Sequence, residues 1–349
     1  ATPTGIFFID LEENSINPLG KIAGLSTTGI REIAWDETTR SLIVAYENSM
    51  IDLVQSENIR HIYDLRNAQD IRQKSIRHIF TMTGLAYLST DFGIVVIDLD
   101  KKETKETYII GNGGQKINVY SLAASADTFY ASTSEGLKKA ARRGANLSDY
   151  RNWKDLTITT GLSSGYIGRM LYWENRLVLQ QSDTLWSWNG QNRSFLYASG
   201  GVINEMSISD SSLLLTVTKS DTGQIVVLKK DGTVSSVIRD PVWTQSPTQV
   251  FRNGSGLWIA DRKAGLSKFT SSSFTGYIPN GPSLNPIGQM IITNGNLRSA
   301  PYKPSNSWRS ETRKGQPVQF VEDVWDNVSA LPEMKWETLE DIHCLAMDE

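Results

Sequence analysis

A glycine followed by an alternating apolar run returns along this chain every forty-odd residues, and few folds accommodate that spacing. The run reads TGIFFID over Thr4–Asp10 and FGIVVID over Phe92–Asp98, then shortens to Glu135-Gly136-Leu137 and Ala264-Gly265-Leu266. Ser49–Leu53 (SMIDL) and Asp183–Trp186 (DTLW) fill equivalent slots without the glycine. Steps through positions 5, 50, 93, 136 and 184 are 45, 43, 43 and 48 residues, and Gly223 and Gly265 extend the series by 39 and 42. Such a period belongs to a propeller blade or to a helical solenoid.

Residue type decides between the two. β-rich segments precede the glycine slots, as in SLIVAY (Ser41–Tyr46), LAYLST (Leu85–Thr90) and LWIAD (Leu257–Asp261). Another apolar run lies upstream of each and a short outer run downstream, joined by turns rich in Asn, Asp, Gly and Ser. Neither 3.6-residue periodicity nor capped helix ends accompany the repeat. The chain is therefore expected to be all-β: a β-propeller of four-stranded blades, seven-bladed, with eight blades as the alternative. Units fall near 30–65, 75–110, 117–158, 166–197, 202–238, 248–279 and 286–330, with a partial unit at 1–19. Glycine at the turn into the third strand permits positive φ without steric cost.

Residues 1–330 read as the propeller, and 331–349 as a linker and the first strand of a following, absent domain, a second propeller. That strand would be Ile342–Asp348. The irregular stretch Lys303–Lys314 reads as a long loop. Between blades a Gly-Leu-Ser turn recurs at Gly24-Leu25-Ser26 and Gly161-Leu162-Ser163, with a weaker echo at Ser283-Leu284-Asn285.

Composition narrows the partners. A net charge of −3 and a pI near 5.8 argue against a general nucleic-acid or anionic-membrane binder. The single cysteine, Cys344, allows no intrachain disulfide. No stretch approaches the roughly 18 apolar residues of a membrane span. Ala1-Thr2-Pro3-Thr4 lacks the charged and apolar regions of a signal peptide.

Two stretches carry a family likeness. Gly24–Leu53 (GLSTTGIREIAWDETTRSLIVAYENSMIDL) and Leu85–Gly111 (LAYLSTDFGIVVIDLDKKETKETYIIG) resemble the N-terminal propeller of the PorZ family, of the type IX secretion system of Bacteroidetes. Looser likeness continues through Asn146–Trp153 and the closing Trp336–Asp348. The resemblance implies export to the outer-membrane surface, with the periplasm as alternative. It also implies partnership with a sortase-like protein and with anionic lipopolysaccharide, further C-terminal domains, and a binding rather than catalytic role. A rival family likeness is the extracytoplasmic sensor propeller of hybrid two-component regulators, which would bind an oligosaccharide.

His61 and His78 sit in near-identical contexts, Arg60-His61-Ile62 and Arg77-His78-Ile79, both mid-strand, and His343 is remote in sequence. With one cysteine, no zinc site of ordinary composition is expected. Asp98-Leu99-Asp100 and Asp231-Gly232 lack the acidic ladder of a calcium loop. No nucleophile elbow, P-loop or dinucleotide fingerprint occurs. The sequence thus points to no enzyme, cofactor or metal. Candidate binding residues are the cations Lys138, Lys139, Arg142, Arg143 and Arg151, suited to an anionic glycan. Trp243 and Trp308, in connections, are candidate sugar platforms. The bland reading of the cations is a protective charge on a blade's outer edge.

Overall fold

The computed structural model describes residues 1–13, 15–56, 58–69, 71–156, 166–220, 222–281, 288–302, 311–313, 315–321, 324–327 and 339–346. It divides into two compact units, Ala1–Tyr277 and Ile278–Glu349. In the first, β1 (Gly5–Asp10) and β2 (Ser15–Gly20) form a two-stranded hairpin. Four-stranded antiparallel sheets follow in sequence order. They are β3 (Ile30–Asp36), β4 (Ser41–Tyr46), β5 (Ile51–Gln55) and β6 (Asn58–Ile62); then, after α1 (Asp64–Asn67), β7 (Ile76–Met82), β8 (Leu85–Thr90), β9 (Ile94–Asp98) and β10 (Glu103–Tyr108). Next come β11 (Val119–Ala124), β12 (Thr128–Thr133), β13 (Gly136–Ala141) and β14 (Lys154–Asp155), then β15 (Met170–Trp173), β16 (Arg176–Gln181), β17 (Thr184–Trp188) and β18 (Arg193–Ala198). The unit closes with β19 (Val202–Ser209), β20 (Ser212–Lys219), β21 (Thr222–Leu228) and β22 (Val234–Ile238), and with β23 (Pro247–Asn253), β24 (Gly256–Asp261), β25 (Gly265–Thr270) and β26 (Ser273–Tyr277).

The second unit holds one such sheet, β27 (Met290–Thr293), β28 (Asn296–Ser299), β29 (Val318–Val321) and β30 (Val324–Asn327). Among the described residues there are thus seven four-stranded sheets and one two-stranded sheet, in a propeller-like all-β fold. Their bounds follow the units expected from the repeat. The strand expected at Ile342–Asp348 does not form over the described residues 341–346. That segment makes scattered hydrogen bonds instead, the Asp341 N–H donating to the Arg313 carbonyl at 2.8 Å and the Leu345 N–H to Gln289 Oε1 at 3.1 Å. Residues 303–310 and 314 of the expected loop, and most of 331–349, lie outside the described residues.

The core of the first unit lies between consecutive sheets. One apolar cluster joins Ile43, Ile51 and Leu53 to Leu88, Val95 and Ile97. Others link β8–β10 to β11–β13, and β20–β21 to β23–β24. The hairpin covers the other face of the first sheet, where Ile6 and Leu19 pack on Val44, Tyr46 and Val54. Central strands β4, β8 and β20 are buried on both faces, and so read as near-continuous apolar runs.

Two details of the repeat are explained by the backbone. At the turn into the third strand Gly93 has φ 151°, and the glycine-free slot at Ser49 keeps a positive φ of 66°. Gly223 serves a different end, because a Cβ there would lie 2.1 Å from Pro247 and 2.4 Å from the Thr244 carbonyl. In the Gly-Leu-Ser turn, Leu25 is buried in the hairpin-side cluster and Ser26 ties to Asp52. The second copy at 161–163 and the echo at 283–285 lie outside the described residues.

Candidate binding site

In the first unit β7 neighbours β3 and β11, β11 neighbours β15, and β19 neighbours β23; in five sheets the pairing of the first strand with the second slips by one residue. The irregularity falls between Ile30 and Glu32, Ile76 and His78, Val119 and Ser121, Ile203 and Glu205, and Pro247 and Gln249. Such a bulge re-aims the residue that follows it. The residues that follow the slips are polar, Glu32, His78, Ser121, Glu205 and Gln249, and Arg169 stands just before β15.

Three of these charges meet. The Arg169 guanidinium lies 3.3 Å from Glu32 Oε1 and 3.2 Å from Glu205 Oε2, tying β15 to β3 and β19. Burial raises the proton affinity of both carboxyls, and Arg169 opposes the rise. Burial also works to lower the pKa of Arg169, but Glu205 and Glu32 outweigh it and hold the guanidinium charged. One cation is shared by two anions, so the cation is over-compensated and each anion under-compensated. His78, which keeps some exposed surface, accepts the Leu122 N–H at Nδ1 over 3.4 Å, placing its own proton on Nε2. Burial, and then the Arg169 charge, push its pKa down to about 3, so it is neutral. This assembly fastens sheets together.

A second cluster looks catalytic by composition and is not by wiring. Ser26 Oγ, Asp52 Oδ1 and His61 Nδ1 lie within 2.5–2.8 Å of one another. A nucleophilic relay needs serine on one ring nitrogen and carboxylate on the other. Here both face Nδ1, and Ser26 Oγ donates to Asp52. The fully buried Asp52 also accepts the Ser26 N–H at 2.8 Å and the Tyr46 hydroxyl at 2.6 Å. It is a clip holding the blade connection to β5, and burial followed by Asp52 raises the Tyr46 pKa.

The sequence-dense cations are mostly committed. Lys138 is 1% exposed, with Nζ 2.9 Å from Asn112 Oδ1 and 3.0 Å from Glu135 Oε2. It cannot meet a ligand, which corrects the expectation. The outer-edge reading also changes, because β14 pairs beyond it, Lys138 opposite Asp155 and Lys139 opposite Lys154. Arg142 donates to the carbonyls of Ser125 and Ala126 and lies over the Phe129 ring. Arg151 is exposed but grips Asp149 through Nε and Nη2, a pairing that lowers the Asp149 pKa to about 2. Lys139 is half-buried and Arg143 exposed. Trp243 is half-buried and lies on β26, where a Cβ at Gly276 would come within 2.0 Å of its ring. Trp308 lies outside the described residues.

The structure gathers a different set of cations. Between the first two four-stranded sheets opens a cleft of about 570 Å³, lined by Glu47, Asn48, Ser49, Arg66, Arg72, Gln73, Lys74, Ser75, Arg77 and Asp91. Asp91 accepts the Ser75 N–H at 3.0 Å and Arg77 Nε at 2.7 Å, so Arg77 is neutralised and fixed. Lys74 donates to the carbonyls of Arg66 and Ala68, closing the short helix, and Ser49 Oγ donates to the Lys74 carbonyl at 3.0 Å. Arg66 Nη1 rests 2.7 Å from Met50 Sδ. Arg66, Arg72 and Lys74 have no carboxylate partner among the described residues. Residue 70, in the same connection, lies outside those described. Sequence reasoning missed this group because its members are spread over 66–77. The usable signal was three cations in one blade connection, with a fourth at the start of the next strand.

Residues 1–154 match the family model of the TSS9 PorZ N-terminal β-propeller domain. No curated protein matches the sequence. Among solved structures, the chain is similar to PorZ, described as an essential bacterial surface component of the type IX secretion system of Porphyromonas gingivalis. The match has TM-score 0.70 and 18% identity, and covers 94% of this chain and 44% of that one. The chain thus spans less than half the length of that protein. Looser fold likeness extends to the Myceliophteria thermophila Cps50 (Swd1) propeller, with TM-score 0.54, 11% identity, and 77% and 91% of the two chains covered. Dihydro-heme d1 dehydrogenase NirN gives TM-score 0.54 and 9% identity, over 94% and 70%. At these identities the structural likenesses speak to fold. The N-terminal residues 1–154 thus match a PorZ propeller model, and the chain as a whole shares the fold of that solved structure.

Proposed function

We propose that this PorZ-like propeller is a non-catalytic binding and scaffolding module of a type IX secretion system, exported and working at the outer-membrane surface. Its partners in this reading are the sortase-like protein and the anionic lipopolysaccharide to which cargo is attached. The observation that carries it is the PorZ family match over residues 1–154, joined to a fold likeness along 94% of the chain. The wiring of Ser26, Asp52 and His61 as a clip fits a binding role. We read the seven four-stranded sheets as seven blades, the hairpin as an additional fragment, and the chain as the first propeller of a larger protein.

Surface plasmon resonance with the purified chain tests this. Immobilised protein is expected to retain the sortase and anionic lipopolysaccharide, and not lipopolysaccharide stripped of its anionic polysaccharide. Failure to retain either partner overturns the proposal.

A further inference from the structure

We infer that the cleft between the first two four-stranded sheets is a phosphoryl-binding site, taking a phosphate group carried on a sugar. Four cations line it against two carboxylates, Glu47 and Asp91. Asp91 is consumed by Arg77 and by the Ser75 amide, which leaves Arg66, Arg72 and Lys74 facing Glu47, an excess of two positive charges among the described lining residues. Gathering like charges costs free energy unless a counter-charge arrives. A lone carboxylate is satisfied by one forked guanidinium; several converging cations suit a phosphate, with more acceptor oxygens and up to two negative charges.

The cations are also pre-positioned. Carbonyls of residues 66 and 68 hold Lys74 at the base, Asp91 holds Arg77, and Met50 supports Arg66, so little side-chain freedom remains to be lost. Arg72 is exposed at the rim. At about 570 Å³ the cleft exceeds what a free phosphate needs and falls within the range of small-molecule sites. Its lining amides and hydroxyls, Asn48, Gln73, Ser49 and Ser75, are groups that pair with sugar hydroxyls. The link to a surface glycan rests on the secretion role proposed above; the chemistry of the cleft does not.

Isothermal titration of the full chain with glucose 6-phosphate, inorganic phosphate, glucose and glucuronate tests the inference. Glucose 6-phosphate is expected to bind saturably, to be displaced by phosphate, and to weaken as salt rises. Glucose is expected not to bind, and glucuronate only feebly. Arg66→Ala with Arg72→Ala should weaken glucose 6-phosphate about 100-fold, roughly tenfold per guanidinium, with the thermal midpoint kept. Arg72→Glu gives a second reading from the exposed rim, and Lys230→Ala should change nothing. Absence of saturable binding, equal binding of glucuronate, or unchanged affinity in both variants overturns the site. Binding of inorganic phosphate but not of the sugar phosphate overturns the glycan-borne source. A chain that binds glucose 6-phosphate yet neither lipopolysaccharide nor sortase keeps the site and loses the secretion role. Undiminished lipopolysaccharide binding by a double variant that has lost glucose 6-phosphate keeps the secretion role and overturns the cleft as the place where the surface glycan binds.

Discussion

Two basic regions of this molecule stand in contrast. Lys138–Arg143 is the densest positive stretch of the sequence, yet its lysine at 138 is buried against Glu135 and Asn112, and Arg142 is spent on backbone carbonyls. Arg66, Arg72 and Lys74 lie in a connection and Arg77 on β7, yet they line one cleft; among the described residues Arg77 is ion-paired, Lys74 is held by two carbonyls, and Arg66 and Arg72 meet no carboxylate. Charge density along a chain reports little about field strength in space. What matters is whether each cation has already met its acceptors. Paired cations hold sheets together, and unpaired ones remain available to a ligand.

The largest test of that division lies in the centre of the first unit. Arg169→Met leaves two half-buried carboxylates without their shared cation, and should lower stability by about 3 kcal/mol, read as a denaturant midpoint, with glucose 6-phosphate affinity unchanged. Lys138→Met should cost about 2 kcal/mol, again without touching affinity; a loss of affinity at kept stability would erase the contrast. Arg72→Ala should do the opposite, with roughly tenfold weaker binding, about 1.4 kcal/mol, and an unmoved thermal midpoint.

Titration adds a fourth test. The native pKa of His78 lies below the ordinary 6.5, so the unfolded chain takes up the proton first. Stability from this group is full above that value and is lost as pH falls toward about 3. Glu32 and Glu205 are raised, so their contribution runs the other way, present at low pH and lost as pH rises through their native values. His78→Asn should therefore flatten the decline in stability on acidification, by about 1 kcal/mol between pH 6.5 and 5.5. An unaltered slope would mean that His78 is not held neutral. The smallest effect belongs to Arg143→Ala with Arg151→Ala, expected to leave both glucose 6-phosphate affinity and thermal midpoint in place. If this pair abolished binding, the site would belong to the sequence-dense stretch instead.

The architecture was legible because it is written in local terms. Turn glycines or their substitutes, apolar alternation and a period near forty recur along the chain, so a strand such as Leu85–Thr90 can be read directly. The site was not legible, because its cations converge only after β7 is laid beside β3. Conversely, Lys138 looked exposed because nothing nearby in sequence announces that β14 pairs outside it. Asp52 was hidden for the same reason, since its partners Ser26 and Tyr46 come from a connection and from the adjacent strand.

The Arg169 tie has a consequence in time as well as in energy. Glu32 and Arg169 are 137 residues apart in sequence, and Glu205 comes from yet another sheet. The tie can close only after the intervening sheets have docked, so it belongs to the last stage of assembly. An interaction made after the folding barrier slows escape from the native state without hastening arrival. Arg169 is thus expected to set how long the fold lasts rather than how fast it forms, so that Arg169→Met should speed unfolding and leave the folding rate unchanged.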